Sequence, residues 1–125
     1  MKLLLDTHIA IWLVRDADEL TAKARRVIDS ADQVFVSTVS IWEATIKAAL
    51  GKLPLLPQRF ADQLIDAGIE PLSIHWDHAQ AIHQLKSVHG DPFDRMLVAQ
   101  AMTEPLHLLT HDAMLRPYSP LVIFV

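Results

Sequence analysis

The chain opens on three consecutive leucines, Leu3-Leu4-Leu5, closed at once by Asp6. Successive residues of a strand point to opposite faces of its sheet, so an unbroken apolar run asks for apolar cover on both sides. The rest of the chain alternates such short runs with helical periodicity. Ala24, Val27, Ile28 and Ala31 recur at i, i+3, i+4 and i+7, which predicts an amphipathic helix over Thr21 to Ala31. Val34-Phe35-Val36 is a second short strand. Val39, Trp42, Ile46, Ala49 and Leu50 form one helical stripe, with Gly51 as its stop. Pro57 opens another helix, with Phe60, Ala61, Leu64 and Ile65 facing inward. Ile69 to Ile74 is a third strand, weakened by Pro71, which has no amide to donate. Ala79, Ile82 and Leu85 suggest a further helix. Asp91-Pro92 reads as the cap and first residue of a helix through Met102, apolar nearly all round and therefore buried. Leu106 to Leu109 and Leu121 to Val125 are the last strands. Strands that alternate with helices imply βαβ units and a mostly parallel sheet of about five strands. Such a sheet binds its ligands beyond the carboxyl ends of its strands.

The chain's 125 residues fit one domain over 1–125, and 51% hydrophobic content supports an ordered core. With no cysteine, disulfides and thiolate metal sites are excluded. The start, Met1-Lys2-Leu3-Leu4-Leu5-Asp6, lacks the longer apolar run of a signal peptide, and no segment has the apolar length of a membrane span. The expectation is a cytoplasmic protein. A formal charge of −4 argues against a generic nucleic-acid coat. It is compatible with a nuclease whose acids hold a metal, because the metal then supplies the local positive charge.

Four acids carry the chemistry, and each has an ordinary explanation of its own. Asp6 follows the first strand and would cap a helix beginning near Thr7. Glu43 sits in Ser40-Ile41-Trp42-Glu43, which matches a capping box. The stripe already begins at Val39, however, so the helix starts near Ser37 or Thr38 and Glu43 lies inside it, at the edge of the buried stripe. A carboxylate there needs a partner, either Lys47 one turn on or a metal. Asp94 suits a first helical turn through the helix dipole, yet Asp94, Leu97, Val98 and Ala101 are spaced i, i+3, i+4, i+7, so it heads an inward stripe. Asp112 follows Leu106 to Leu109 and would cap a short helix through Met114 and Leu115. In a doubly wound sheet, strand ends and helix starts meet at one edge, where all four acids can converge. Like charges that close do not all ionise cheaply without a cation. Oxygen donors without thiolates suit Mg²⁺, with Mn²⁺ as a substitute.

Four segments carry a family resemblance: Leu4-Leu5-Asp6-Thr7-His8, Val39-Ser40-Ile41-Trp42-Glu43, Asp91-Pro92-Phe93-Asp94-Arg95-Met96-Leu97 and Leu109-Thr110-His111-Asp112. In this order and spacing the chain resembles the PIN-domain ribonucleases, specifically the VapC toxins of toxin–antitoxin pairs, over essentially its whole length. The resemblance implies a three-layer α/β/α PIN-like domain. It implies a Mg²⁺-dependent endoribonuclease that cuts structured RNA such as tRNA or rRNA. It assigns metal binding to Asp6 and Asp94, and to Glu43 the completion of the acidic cluster and orientation of a water. Asp112 matches the fourth acid, whose role varies among members. Thr7, Ser40 and Thr110 would hold carboxylates or waters; Arg95, by its place next to Asp94 in the sequence, would bind a phosphate or pair with a carboxylate. A homodimer, a cognate antitoxin and contact with operator DNA only through that antitoxin are further implications. Between Asp91 and Asp94, the inward stripe favours Asp94 as ligand and leaves Asp91 as the cap before Pro92.

Other residues are read more plainly. His75, His78 and His83 are spaced three and five apart, which does not keep them on one helical face, so surface or hydrogen-bonded roles are expected. His8 and His111 flank the acids and either touch RNA or donate from behind them. Trp12 and Trp42 read as core or dimer interface before stacking platforms. Lys47, Arg95 and Arg116 are candidates for phosphate contact. Two other functions compete. One is a PIN-fold module that no longer cuts and acts through its antitoxin, against which the complete acid set argues. The other is a phosphotransfer domain with Asp6 as nucleophile, which would want a second aspartate where His8 stands.

Overall fold

In the computed structural model, which describes residues 1–85 and 90–125, five short strands form one sheet. They are β1 (Lys2–Leu5), β2 (Gln33–Ser37), β3 (Glu70–Leu72), β4 (His107–Thr110) and β5 (Val122–Phe124). Their order is β3-β2-β1-β4-β5, and every pairing is parallel. The helices are α1 (Thr7–Val14), α2 (Ala22–Ser30), α3 (Thr38–Ala49), α4 (Pro57–Asp66), α5 (Trp76–Ala81) and α6 (Pro92–Thr103). Single 3-10 segments cover Ile82–Gln84 and Ala113–Tyr118.

The opening leucines hold the centre, as their pattern requires. Leu3, Leu4 and Leu5 are each fully buried in the middle strand. Leu3 and Leu5 face Ile9 and Ala10 of α1, Ala24 and Ile28 of α2, and Phe60 and Leu64 of α4. Leu4 points the other way, toward Leu97, Val98 and Ala101 of α6 and toward Leu115. The result is three layers, helices over both faces of a parallel sheet. Each buried leucine contributes about 2 kcal/mol of apolar transfer. Pro71 sits in β3, at the edge of the sheet, where a missing amide costs least.

Local signals set the boundaries. Thr21 caps α2 through its hydroxyl, Ser37 caps α3, and the Asp91 carboxylate accepts from the amides of Phe93 and Asp94 at the start of α6. Gly51 follows α3 at φ 72°, the left-handed conformation that ends helices and suits glycine. Three expectations of burial fail. Trp42, Ile46 and Leu50 of α3 face outward, at 56%, 36% and 63% exposure, and the helix instead buries Val39, Ser40, Glu43 and Ala44. Its inner face is half polar because it lines a polar edge of the sheet. Ile65 of α4 is likewise exposed, and in α6 burial is confined to Leu97 through Ala101.

Chain order places the ligand edge. From β1 the strands step outward through β2 to β3, and the chain then crosses to the other side of β1 for β4 and β5. The order reverses between β1 and β4, and in open α/β sheets the crevice at such a reversal is where ligands bind.

Candidate metal centre

Asp6 and Thr110 stand at that reversal, at the carboxyl ends of the two adjacent strands. The Asp6 amide continues the ladder by donating to the Leu109 carbonyl at 2.9 Å. Its side chain is 4% exposed. One carboxylate oxygen accepts from the Thr7 amide at 2.6 Å, and so caps α1. The other accepts from the Thr110 hydroxyl at 2.6 Å. The Asp112 amide in turn donates to that hydroxyl at 3.0 Å, so a relay runs from Asp112 through Thr110 to Asp6. Burial pushes the Asp6 carboxyl above its ordinary value, against the lowering effects of Thr110, His8 and the Thr7 amide, and the nearby Glu43 charge pushes it higher.

Glu43 comes from the second turn of α3 and is 3% exposed. Lys47, one turn on, donates to one of its oxygens at 2.8 Å. The other oxygen, Oε1, is fully buried and, like Oε1 of Gln100, has no hydrogen-bond partner among the described residues. A buried carboxylate oxygen left so is costly, and native structures supply such atoms with water or an ion. A bond of 2.8 Å between the Thr7 and Ser40 hydroxyls ties the start of α1 to α3 and fixes the approach of Glu43 to Asp6. These hydroxyls were expected on carboxylates or waters. It is the Thr7 backbone, and the hydroxyl of Thr110 alone among the three, that holds Asp6.

Asp94 reaches the same edge from the opposite layer. The end of α6 meets the start of β4, where the Leu106 amide donates to the Ala101 carbonyl, so the first turn of α6 lies at the carboxyl ends of the strands. The edge-on contact of Trp42 with Phe93, 5.2 Å between ring centres, locks the turn holding Asp94 against the helix holding Glu43. Asp91 is the cap, and Asp94 is the third helical residue. Asp112 also caps, accepting from the Met114 amide at 2.9 Å. Arg95 donates to the Tyr118 hydroxyl at 3.2 Å, which binds α6 to the 3-10 turn.

The donors at this edge fit a hard divalent cation. They are carboxylate oxygens in a chain without cysteine, among them those of Asp6, whose charge is disfavoured by burial, while the orphaned Oε1 of Glu43 beside them is open to a water. A different cluster needs to be told apart from it. Asp77, His78 and Glu104 bring their ligand atoms within 4.8 Å of one another, at the other end of α6. His78 is fully buried, and its Nδ1 accepts from the His75 amide at 3.0 Å, so its proton is on Nε2, which faces Glu104 at 2.5 Å. A metal on Nε2 would move that proton to Nδ1 and break the start of α5. The cluster is therefore a hydrogen-bonded pin between α5 and α6, with Gln100 Nε2 reaching the Ser73 carbonyl at 3.3 Å beside it. Sequence reading missed it, although a glutamine inside the apolar run of α6 was its visible trace.

The PIN domain model matches residues 3–119, which contain every residue of this edge. The chain belongs to the PIN domain family. Ribonuclease VapC22 of Mycobacterium tuberculosis is 31% identical over 121 residues, 92% of this chain and 90% of that protein. Among solved structures, VapBC from Salmonella typhimurium bound to DNA matches all of this chain and 97% of its own, at a TM-score of 0.71 and 18% identity. VapBC2 from Rickettsia felis, bound to a DNA fragment from its promoter, matches all of this chain and 98% of its own at 0.70 and 14%. At those identities the two structures speak for the fold, and the VapC22 sequence speaks for a place among the VapC proteins. Among the described residues, no helix of this PIN domain is long and apolar enough to cross a membrane.

Proposed function

We propose that this PIN domain is a Mg²⁺-dependent endoribonuclease, the toxin of a toxin–antitoxin pair, that cuts structured RNA such as tRNA or rRNA. The observation that carries the reading is the orphaned Oε1 of Glu43, buried beside an Asp6 whose charge is disfavoured. Two acids so placed call for a cation. Asp6 and Asp94 would hold it, with Mn²⁺ able to replace Mg²⁺. A divalent ion there supplies Lewis-acid stabilisation of a phosphodiester and eases deprotonation of a water.

The residues do the rest. Thr7 and Thr110 fix the Asp6 carboxylate from two sides, so it meets its ligand without reorganisation. Glu43 Oε1 orients the attacking water and takes its proton, while Lys47 holds the other oxygen and keeps the side chain from turning. Asp112 supports Thr110 through its backbone amide, while its carboxylate caps the turn at Met114. The name of the VapC22 relative supports the word ribonuclease, and the VapBC complexes support an antitoxin partner, with operator DNA reached only through it. The exposed stripe of Trp42, Ile46 and Leu50 on α3 supports a homodimer. Cytoplasmic residence follows from this reading.

The test is to express the chain and its Asp94→Asn variant and map new RNA 5′ ends, with Mg²⁺ and with chelator. The expected result is discrete cleavage by the wild type with Mg²⁺ only. Identical maps from both proteins would remove the metal mechanism, and intact RNA throughout would favour a PIN-fold module that binds without cutting.

A further inference from the structure

Beside the acids lies an open cleft of about 520 Å³ between α1 and the far end of α3. Its wall carries Arg15 and Lys52, with Lys47 already paired to Glu43, against one anion, Glu19, in a chain whose formal net charge is −4. A local excess of positive charge against the overall sign marks a place for an anion. The cleft is also aromatic. Trp12 lines it, with His8 6.1 Å away on one side and His111 5.6 Å away on the other, ring centre to ring centre. The row continues from His111 to Phe124, stacked at 5.7 Å, and ends in the Arg116 guanidinium, 5.3 Å over the Phe124 ring. The volume is that of a small-ligand pocket. Rings interleaved with cations suit an unpaired nucleotide, whose base stacks while its phosphate is neutralised.

The cleft shares two residues with the metal centre. Lys47 holds Glu43, and His8 lies close enough to Asp6 to lower its pKa. A nucleotide seated here is therefore one step along the strand from the reacting phosphodiester. We infer that the cleft binds a single unpaired nucleotide of the substrate strand next to the cut, its base against Trp12 and its phosphate on Arg15 and Lys52. The inference rests on the nuclease reading and adds a specificity determinant to it. A duplex cannot present an unstacked base to Trp12, so cleavage falls at loops or bulges.

The experiment measures fluorescence anisotropy of a short labelled oligoadenylate with the full chain in EDTA, where no cutting occurs. Arg15→Ala/Lys52→Ala, both at exposed positions, should weaken binding and flatten its salt dependence, with a slope smaller by about 0.7 for the one single-strand phosphate they share. Trp12→Leu should weaken binding about tenfold, the value of one stacked base, and Trp12→Phe should restore most of it. Thermal melting of each variant separates lost binding from lost folding. Equal binding by the wild type and the charge variants overturns the inference. So does tighter binding of poly-glutamate than of oligoadenylate, which would make the cleft a site for an acidic protein segment. A separate Mg²⁺ cleavage assay on the wild type and the cleft variants keeps the two readings apart, since a chain that cuts RNA while its cleft variants bind and cut unchanged retains the nuclease reading and loses the cleft.

Discussion

Removal of the Thr110 hydroxyl offers a quantitative test of how the acidic edge is held together. Thr110→Val preserves shape at a fully buried position and deletes two hydrogen bonds, the donation to Asp6 and the acceptance from the Asp112 amide. A hydrogen bond to an ionised carboxylate contributes about 2 kcal/mol, and a half-buried amide left without its acceptor costs about 1 kcal/mol more. The metal-free variant should therefore lose about 3 kcal/mol while Asp6 is ionised. At about 2.1 cal/mol/K per residue, unfolding entropy converts this into a melting point lower by roughly 11 °C. The loss should depend on pH in a definite direction. Thr110 lowers the Asp6 pKa, so its bond is strongest to the charged form, at pH above the raised folded value. Once Asp6 is protonated the bond is an ordinary neutral one of about 1 kcal/mol, and the total loss falls to about 2 kcal/mol, or roughly 8 °C. Circular-dichroism melts in EDTA across acidic to neutral pH measure both quantities, and Thr110→Ser should recover most of the stability. A gap between Thr110→Val and wild type that is absent, or that widens as pH falls, would refute the reasoning.

Asp6→Asn in chelator should melt higher than wild type at neutral pH. Its folded pKa is raised by burial, so the carboxyl contributes stability below its ordinary value near 3.8 that is lost as pH rises through the folded value, and calorimetry should find that slope flattened in the variant. Added Mg²⁺ should stabilise the wild type by about 2.7 kcal/mol at a hundred times its Kd and leave Asp94→Asn unmoved in the same melts. Glu43→Gln should lower cleavage by about 10²–10⁴-fold in single-turnover assays while Mg²⁺ still raises the melting point, because it removes a base rather than a ligand. His78→Leu should cost about 2 kcal/mol by leaving the His75 amide without its acceptor and Gln100 Nε2 with the Ser73 carbonyl alone, and cleavage per folded molecule should not change.

Much of this was legible in the residue order, because the strongest local signals are also the ones that build the edge. Leu3-Leu4-Leu5 asked for apolar cover on both faces, and Asp91-Pro92 read as a helix start, which put Asp94 in its first turn. Placing the start of α3 ahead of Ser40 removed the capping-box explanation of Glu43, and Ser37 does cap that helix. What failed was the direction of α3. Hydrophobic periodicity reports an apolar stripe but not what covers it, and here Trp42, Ile46 and Leu50 lie outside while a serine and a glutamate lie inside. Contacts distant in sequence were hidden as well. Nothing near Thr110 says that its hydroxyl reaches Asp6, and nothing near His78 names Glu104. Such pairings depend on strand order, which local pattern does not contain.

The reversal of strand order has a consequence in time as well as in space. Asp6 is made first, but the hydroxyl that fixes it comes 104 positions later, on a strand that slots in beside the central one. A chain emerging at about 5–20 residues per second carries an unfinished carboxylate for several seconds. During that interval β1 has a bare edge where β4 will go, and the crevice between them does not exist. A nascent or prematurely ended chain lacking β4 is thus unable to assemble the centre, whatever acids it already contains. On the proposed reading, a protein that attacks RNA is kept harmless by its own topology until β4 has joined the sheet.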